Sequence, residues 1–562
     1  MTAVLCLVAT FGTQVASAAP SPPLPPTATA SPGPNGSVVL NWQFPPDPNR
    51  TQFLVYVADV TTSQTVGWGT LIVTGGTSTS GVVDWLVPGR HYRFGIVAQG
   101  AGATPASATT DATTPPPRGC LVTSPCVGVD TTTSTGNAQR IGNGVLHGIT
   151  NQTPQALLTP LATTGWRIAP FDSDRYRAAR GAGGSITLVL SDAWTINNWA
   201  GTSVARNPWD DWTAYANTIK FTVQWQQNSG LAPDYWDIQN EPDNRSYYSS
   251  KSPPTRALIL QQFQVAYDAI KQVQPNAKII GPSLGGPIIN DTTQLVDMNS
   301  FLADAAAHNM HYDAISWHEL GGGQAPGVFD GAPRSVAEHV SWIRALLASH
   351  PTLGNPPLFV NEYGATWAQG IPGSETGYLA ALEASGVSSA IHSCWPVTGP
   401  SGWVDTCFDQ RGLLDGLISL DGRATPAWWV HREYAAMTGT KAKADGNNPA
   451  LPAYATRLPS GEIDVLVGHD EGCNPAVDRA YCPSGTAVAP SLTPALTVTV
   501  PVGSATAYSM TVQRIPHQPG ALDNPVIVGK PVKLTVLLGT VATTLPALPS
   551  GDAVFVQLVP TS

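Results

Sequence analysis

Along the chain the spacing of apolar residues changes twice. Between positions 35 and 114 they alternate with polar ones over the short runs Ser37–Trp42, Gln52–Val57, Thr70–Val73 and His91–Val97, with turn residues between. Alternation with period two buries one face of each run, so this region predicts a small β-sandwich. From 130 to 438, short β-rich runs alternate instead with stretches of helical spacing, such as Val336, Val340, Ile343 and Leu347, or Leu260, Phe263, Tyr267 and Ile270. The candidate strands are 144–148, 166–170, 186–192, 235–241, 278–281, 312–318, 358–362 and 389–395. Eight such units are what a closed (β/α)8 TIM barrel requires. After Gly439 the helical spacing ends, and the runs Ile463–Val467, Leu496–Val500 and Ala553–Leu558 predict a second sandwich over 439–562. The chain therefore reads as multidomain, a central TIM barrel between two β-sandwiches.

The joints are set by composition. Residues 1–18 have the form of a signal peptide, with apolar Val4–Thr10 and the small residues Ala16-Ser17-Ala18 before Ala19-Pro20, although the usual basic start is missing. Residues 19–34 are Pro, Ser, Thr and Ala, the composition of an extended linker. A second linker is expected over 115–129, beginning with Pro115, Pro116 and Pro117. Beyond the leader, six cysteines fall into three local pairs, Cys120 with Cys126, Cys394 with Cys407, and Cys473 with Cys482. These are expected as disulfides of a secreted, extracellular protein. The spacing does not suit zinc: no pair is C-x2-C and no histidine cluster accompanies them.

Only 12% of the residues are charged and the formal charge is −10, so there is no basic field to capture nucleic acid. No run of about eighteen apolar residues is present to span a membrane. Tryptophan, by contrast, occurs 17 times, which suits loop-rich extracellular domains with aromatic surfaces, and a neutral ligand fits the charge better.

In a TIM barrel the chemistry sits where the strands end. Two candidate strands end in glutamate, as Asn240-Glu241-Pro242 and Asn361-Glu362-Tyr363. Carboxylates on opposite sides of one barrel mouth can flank a sugar, one protonating the leaving oxygen while the other attacks the anomeric carbon. At these residues the chain resembles clan A of the glycoside hydrolases, whose acid/base follows Asn at the end of strand four and whose nucleophile ends strand seven. The resemblance covers about residues 140–438. It implies a retaining glycosidase with Glu241 as acid/base and Glu362 as nucleophile, acting on a polysaccharide or its oligosaccharides without metal or organic cofactor. Arg167 matches the clan's arginine near the nucleophile, His318 after Trp317 a residue that contacts it, and Trp395 the aromatic platform under the sugar. Asn240 corresponds to the donor to the substrate 2-hydroxyl. His147-Gly148, the Asn-Glu-Pro run, Trp317-His318 and the following sandwich are most similar to family 39, the β-xylosidase and iduronidase family, which inclines the reading toward pentose glycosides. His318-Glu319-Leu320 departs from that family's His-x-Tyr pattern, and families 5 and 51 share much of the scaffold. Trp42, Tyr56 and the stretch Leu86–Tyr92 resemble the fibronectin type III pattern with its tyrosine corner.

Glu241 must be protonated when the glycosidic oxygen leaves, so its pKa is expected to be raised by nearby carboxylate charge and partial burial. Glu362 must be ionised to attack, a form that Arg167 beside it favours.

Other readings compete. Gly281-Pro-Ser-Leu-Gly285 fits G-x-S-x-G with Ser283 as nucleophile, but Gly286-Pro287 follows where a helix is needed. His318-Glu319 starts an H-E-x-x-H motif that fails at Gly322. Glu319 and Asp192 remain second candidates for a catalytic acid. An endo-acting glycanase on the same barrel, or a carbohydrate-binding protein that does not cleave, would use the same aromatic residues.

Overall fold

The computed structural model describes residues 25–33, 36–61, 66–121, 123–146, 148–194, 207–285, 295–320, 333–365, 368–394, 397–399, 402–404, 414–419, 421–470 and 489–561. Eight parallel strands close into a barrel: β1 (Gly144–Val145), β2 (Gly165–Ile168), β3 (Ser185–Val189), β4 (Tyr235–Asp237), β5 (Ile279–Leu284), β6 (Ala314–Glu319), β7 (Leu358–Tyr363) and β8 (Ser389–His392). β8 pairs back onto β1 through Ile391–Gly144 and His392–Val145, which leaves the sheet without an open edge.

The helices outside the barrel begin where the sequence offers caps. Asp211 accepts from the Ala214 amide at the head of Trp212–Asn228, and Thr255 from the Leu258 amide at the head of Arg256–Val273. In Ser335–Ser349 the expected stripe of Val336, Val340, Ile343 and Leu347 is buried. In Arg256–Val273 the buried face is instead Ile259, Phe263, Ala266 and Ile270, and the expected Leu260 and Tyr267 are only partly buried. The shift arises because Ala266 counts as core in a close-packed helix–barrel layer, where Tyr267 keeps its hydroxyl at the edge against His311.

Alternation along the barrel strands decides what faces inward. Trp166, Trp236 and Trp317 are fully buried, and their indole nitrogens donate to Gly183 O, Gln274 Oε1 and Glu319 Oε1 in the outer layer. The residue after each, Arg167, Asp237 and His318, must then turn into the barrel.

Two linker expectations fail. Thr27–Pro32 lies within the expected 19–34 linker but forms a strand antiparallel to Val38–Gln43. Its small residues gave no hydrophobic signal, and backbone pairing to a neighbouring strand is enough to fix an edge. Cys126–Asn137 overlaps both the expected 115–129 linker and the start of the 130–438 barrel. It belongs instead to the ten-stranded sheet of the C-terminal region, antiparallel to Thr440–Gly446 and parallel to Ala495–Thr499. Val127 and Val129 bury into that sheet's core, a pairing across more than 300 positions that no local pattern announces.

Near the N-terminus, a three-stranded and a four-stranded antiparallel sheet share one core that includes Val38, Leu40, Trp42, Phe53, Val55, Phe94 and Ile96. The Val87 amide donates to the Tyr92 hydroxyl at 2.8 Å. Cys120 and Cys126 are joined, with Cα atoms 5.7 Å apart. Cys394 is buried and disulfide-bonded, while Cys407, Cys473 and Cys482 lie outside the described residues. No helix among the described residues is long and apolar enough to cross a membrane.

Candidate active site

Arg167 on β2 is the hub of the barrel mouth. Its guanidinium is buried and donates from Nε to Asp237 Oδ2 at 2.9 Å, from Nη1 to Glu362 Oε1 at 2.6 Å and from Nη2 to Asn240 Oδ1 at 2.8 Å. A planar fork with fixed donors can hold three acceptors in one geometry, which a lysine cannot. With Oδ1 engaged, the Nδ2 donor is what Asn240 can offer a sugar hydroxyl. Asp237 also accepts from Ser283 Oγ at 2.8 Å and Asn361 Nδ2 at 2.9 Å, so every strand from β4 to β7 is tied into the floor once Ser283 meets Ser316 at 2.9 Å.

The two glutamates occupy different depths. Glu362, in β7, has a side chain only 1% exposed, whereas that of Glu241 is 13% exposed. Glu241 does not end β4 as the sequence pattern suggests, because the strand stops at Asp237 and the carboxylate stands in the loop beyond. Its φ of 43° lies in the left-handed region, a conformation that costs a non-glycine residue about 1–3 kcal/mol. The amide bond to Ser283 O and the carbonyl's acceptance from Asn244 N, both 2.9 Å, hold it there. Gly285 sits against the carboxylate, where an added Cβ would come within 3.4 Å of Glu241 Oε1.

His318 lies between the carboxylates, with Nδ1 3.1 Å from Glu241 Oε1 and 3.6 Å from Glu362 Oε2. One oxygen of each glutamate and one ring nitrogen of His318 all fall within 4.8 Å of one another. Such a trio could in principle hold a cation, but the Arg167 guanidinium already supplies positive charge at hydrogen-bond distance.

The proton balance differs from the sequence expectation. Burial pushes the Glu241 carboxyl up, but the hydrogen bond and charge of His318, with Tyr247 and Asn244, outweigh it and hold the group below its ordinary value. Burial lowers the His318 imidazole, yet Glu362 and Glu241 together raise it above its usual value. The two shifts have one cause, the close approach of His318 to both carboxylates, which favours the charged form of each partner. Asp243, two residues on, takes the shift expected of Glu241: burial and the Glu241 charge push it up to about 7.

Of the residues singled out from sequence, Glu241, Glu362, Asn240, Arg167 and His318 converge here. His147 and Trp395 lie outside the described residues. Glu319 is drawn away from the mouth, its carboxylate held at 2.6 Å by Trp317 Nε1 and 2.8 Å by His339 Nδ1, so it is no rival acid. Ser283 is no exposed nucleophile either: it is fully buried and committed to Asp237, Ser316 and Asn361. Asp192 stands near enough for its charge to act on Arg167. Sequence reasoning missed Asp237, Tyr247, Asn244 and Asp243. For Asp237 a signal existed, since it occupies the same inward register as Arg167 and His318 after a buried tryptophan.

Solved structures resemble this chain over most of its length. A protein from Neocallimastix frontalis aligns at 19% identity, covering 78% of this chain and 100% of that one, with a TM-score of 0.59. A monomeric β-xylosidase from Caulobacter crescentus aligns at 17% identity over 78% and 100%, TM-score 0.53. A GH39 enzyme from Xanthomonas axonopodis pv. citri aligns at 17% over 79% and 99%, TM-score 0.54. At these identities the likeness shows a shared fold. No family model matches the sequence, and no curated protein matches it.

Proposed function

We propose that the chain is a retaining glycoside hydrolase in which Glu362 attacks the anomeric carbon and Glu241 serves as acid and then base. The observation that carries this reading is the spacing of the two carboxylates, whose nearest oxygens lie within 4.8 Å. Double displacement uses carboxyl groups about 5–5.5 Å apart, whereas inversion needs roughly 6.5–9.5 Å to admit a water. The depth difference suits the roles: the nucleophile is held on the floor by Arg167, and the acid stands nearer solvent, where a leaving group departs. His318 Nδ1 lies within hydrogen-bond reach of Glu241 and is placed to exchange a proton with it. In the second half-reaction Glu241 accepts a proton from the incoming water.

The substrate is a polysaccharide or its oligosaccharides, with a pentose glycone favoured by the likeness to a β-xylosidase. We further infer that residues 1–18 direct export, a reading supported by the Cys120–Cys126 disulfide. The sheets on either side of the barrel are read as sandwiches, the N-terminal one a fibronectin type III-like spacer.

Incubation with a panel of 2-deoxy-2-fluoro glycosides (xyloside, arabinoside, glucoside, galactoside, mannoside) followed by peptide mapping tests this directly. One stable sugar adduct on Glu362 is expected, and its mass identifies pentose or hexose. An adduct on any other carboxylate would remove the assignment.

A second expectation concerns Asp243. Its folded pKa near 7 lies above the ordinary 3.8, so the folded chain holds a proton that the unfolded chain releases, and stability falls as pH rises through that window. Asp243→Asn keeps an acceptor for the Gly285 amide and removes the titration. The variant should gain stability over wild type at pH 8 relative to pH 4. The basic limb of its kcat/KM profile should move to lower pH, because the His318 imidazole beside Glu241 loses a nearby anion that helps hold its proton. An unmoved limb would show that Asp243 does not act on the His318–Glu241 pair.

A further inference from the structure

Behind β8, on the helix side of the barrel, a second cluster of titratable groups is unused by this mechanism. Glu375, in the first turn of Pro372–Ser385, His392 at the end of β8 and His431 in Pro426–Ala436 are each about 1% exposed. Glu375 Oε1 is 3.2 Å from His392 Nε2, and Glu375 Oε2 is 3.3 Å from His431 Nε2. No arginine or lysine pairs with Glu375 among the described residues, unlike Glu362 with its Arg167.

The hydrogen-bond directions leave a deficit of positive charge. Asn143 Nδ2 donates to Leu161 O at 2.6 Å and His431 O at 3.3 Å, which fixes Asn143 Oδ1 as the acceptor facing His431 Nδ1 at 2.8 Å. His431 therefore carries its proton on Nδ1, and in the neutral ring Nε2 presents a lone pair to the carboxylate oxygen opposite. Two lone pairs cannot face each other at 3.3 Å unless a cation or a further proton lies between them. Full burial disfavours a second charged imidazole next to His392, whose ring centre is 5.0 Å away.

We propose that Glu375, His392 and His431 bind one divalent transition-metal ion of the zinc class, tying β8 to the two helices that cover it. Metal bonds of about 2.0–2.1 Å place tetrahedral ligands about 3.3 Å apart; the two carboxylate oxygens of Glu375 lie 3.2 and 3.3 Å from the two imidazole nitrogens, and one ligand atom from each of the three residues falls within 4.8 Å of the others. Two neutral imidazoles with one carboxylate are a borderline donor set that suits zinc over calcium or magnesium. The Asn143 contact to His431 Nδ1 is the outer support such a ligand normally has. Asp415, buried and close enough for its charge to act on His392, brings the local anionic charge to two, which balances a dication. Tyr363, which follows the proposed nucleophile, packs edge-on against His392 at 5.5 Å, so the ion would brace the wall behind the active site.

The test uses the full chain, stripped with chelator, dialysed and titrated with Zn2+ against a chromophoric competitor. One equivalent per chain is expected, with a rise in thermal midpoint on loading. Asn143→Ala, which removes the outer contact with its bonds to Leu161 O and His431 O but leaves the three ligands in place, should weaken zinc about 10–100-fold, and His431→Gln should weaken it further. X-ray absorption of the zinc-loaded wild type needs no variant: two imidazoles and no sulfur in the first shell are expected. Failure of the wild type to bind Zn2+, unchanged affinity in both variants, or fewer than two imidazoles would overturn the proposal. A single imidazole would place the ion instead between Glu241, His318 and Glu362.

Discussion

Glu362→Ala is expected to lower turnover by roughly 10^4-fold or more on every glycoside the wild-type chain cleaves, whatever its leaving group. The side chain is fully buried, held by Arg167 at 2.6 Å and faced by His318 at 3.6 Å, so no neighbouring carboxylate can take its place against the anomeric carbon. Glu241 points into the same space but approaches from the opposite wall. The paired variant separates the roles. Glu241→Ala should retain activity on activated aryl glycosides, whose leaving groups depart unprotonated, and lose it on unactivated ones. Azide should restore part of the Glu241→Ala rate with retained configuration, by attacking the glycosyl–Glu362 intermediate where the activated water would have done so. Near-wild-type turnover by Glu362→Ala, or equal loss on all leaving groups without rescue in Glu241→Ala, would refute the assignment.

Arg167→Met should damage both stability and activity. A methionine fills much of the same length but leaves Asp237 and Glu362 buried without their cation and Asn240 without the donor that orients it. Removing one partner from a buried charge cluster costs about 3–5 kcal/mol, far more than the cluster contributes net, because the remaining charges stay desolvated. Arg167→Lys restores the charge but not the fork, and should recover stability more than kcat. Equal stability of Arg167→Met and wild type in urea unfolding would show that the cluster is not held as described.

Much of the site was readable because strand alternation is a local property. A tryptophan that must bury outward fixes the next side chain as inward, and this single rule places Arg167 and His318 on the inner face of the barrel from their neighbours in the chain. The paired Asn-Glu runs near the ends of two strands follow from the same logic, although the four-residue overrun of Glu241 past β4 does not. Its left-handed backbone is imposed by Ser283 and Asn244, partners supplied by the folded loop. The Asp243 shift was also hidden, because it depends on burial and on the Glu241 charge beside it, which outweigh the Gly285 amide bond. His392 and His431 lie 17 and 56 residues from Glu375 in the chain, with no motif joining the three.

The sequence by itself determined the eightfold alternation of strand and helix, the inward register of the polar residues, and the two glutamates at the barrel mouth. These depend on periodicity and on burial of large apolar side chains, which neighbouring residues encode. Only the tertiary structure decided that Cys126–Asn137 joins the C-terminal sheet, that His318 lies against both glutamates, and that the two carboxylates stand within 4.8 Å. Those outcomes depend on which distant groups are brought into one desolvated space, and a charge's energy is set there by its neighbours in three dimensions.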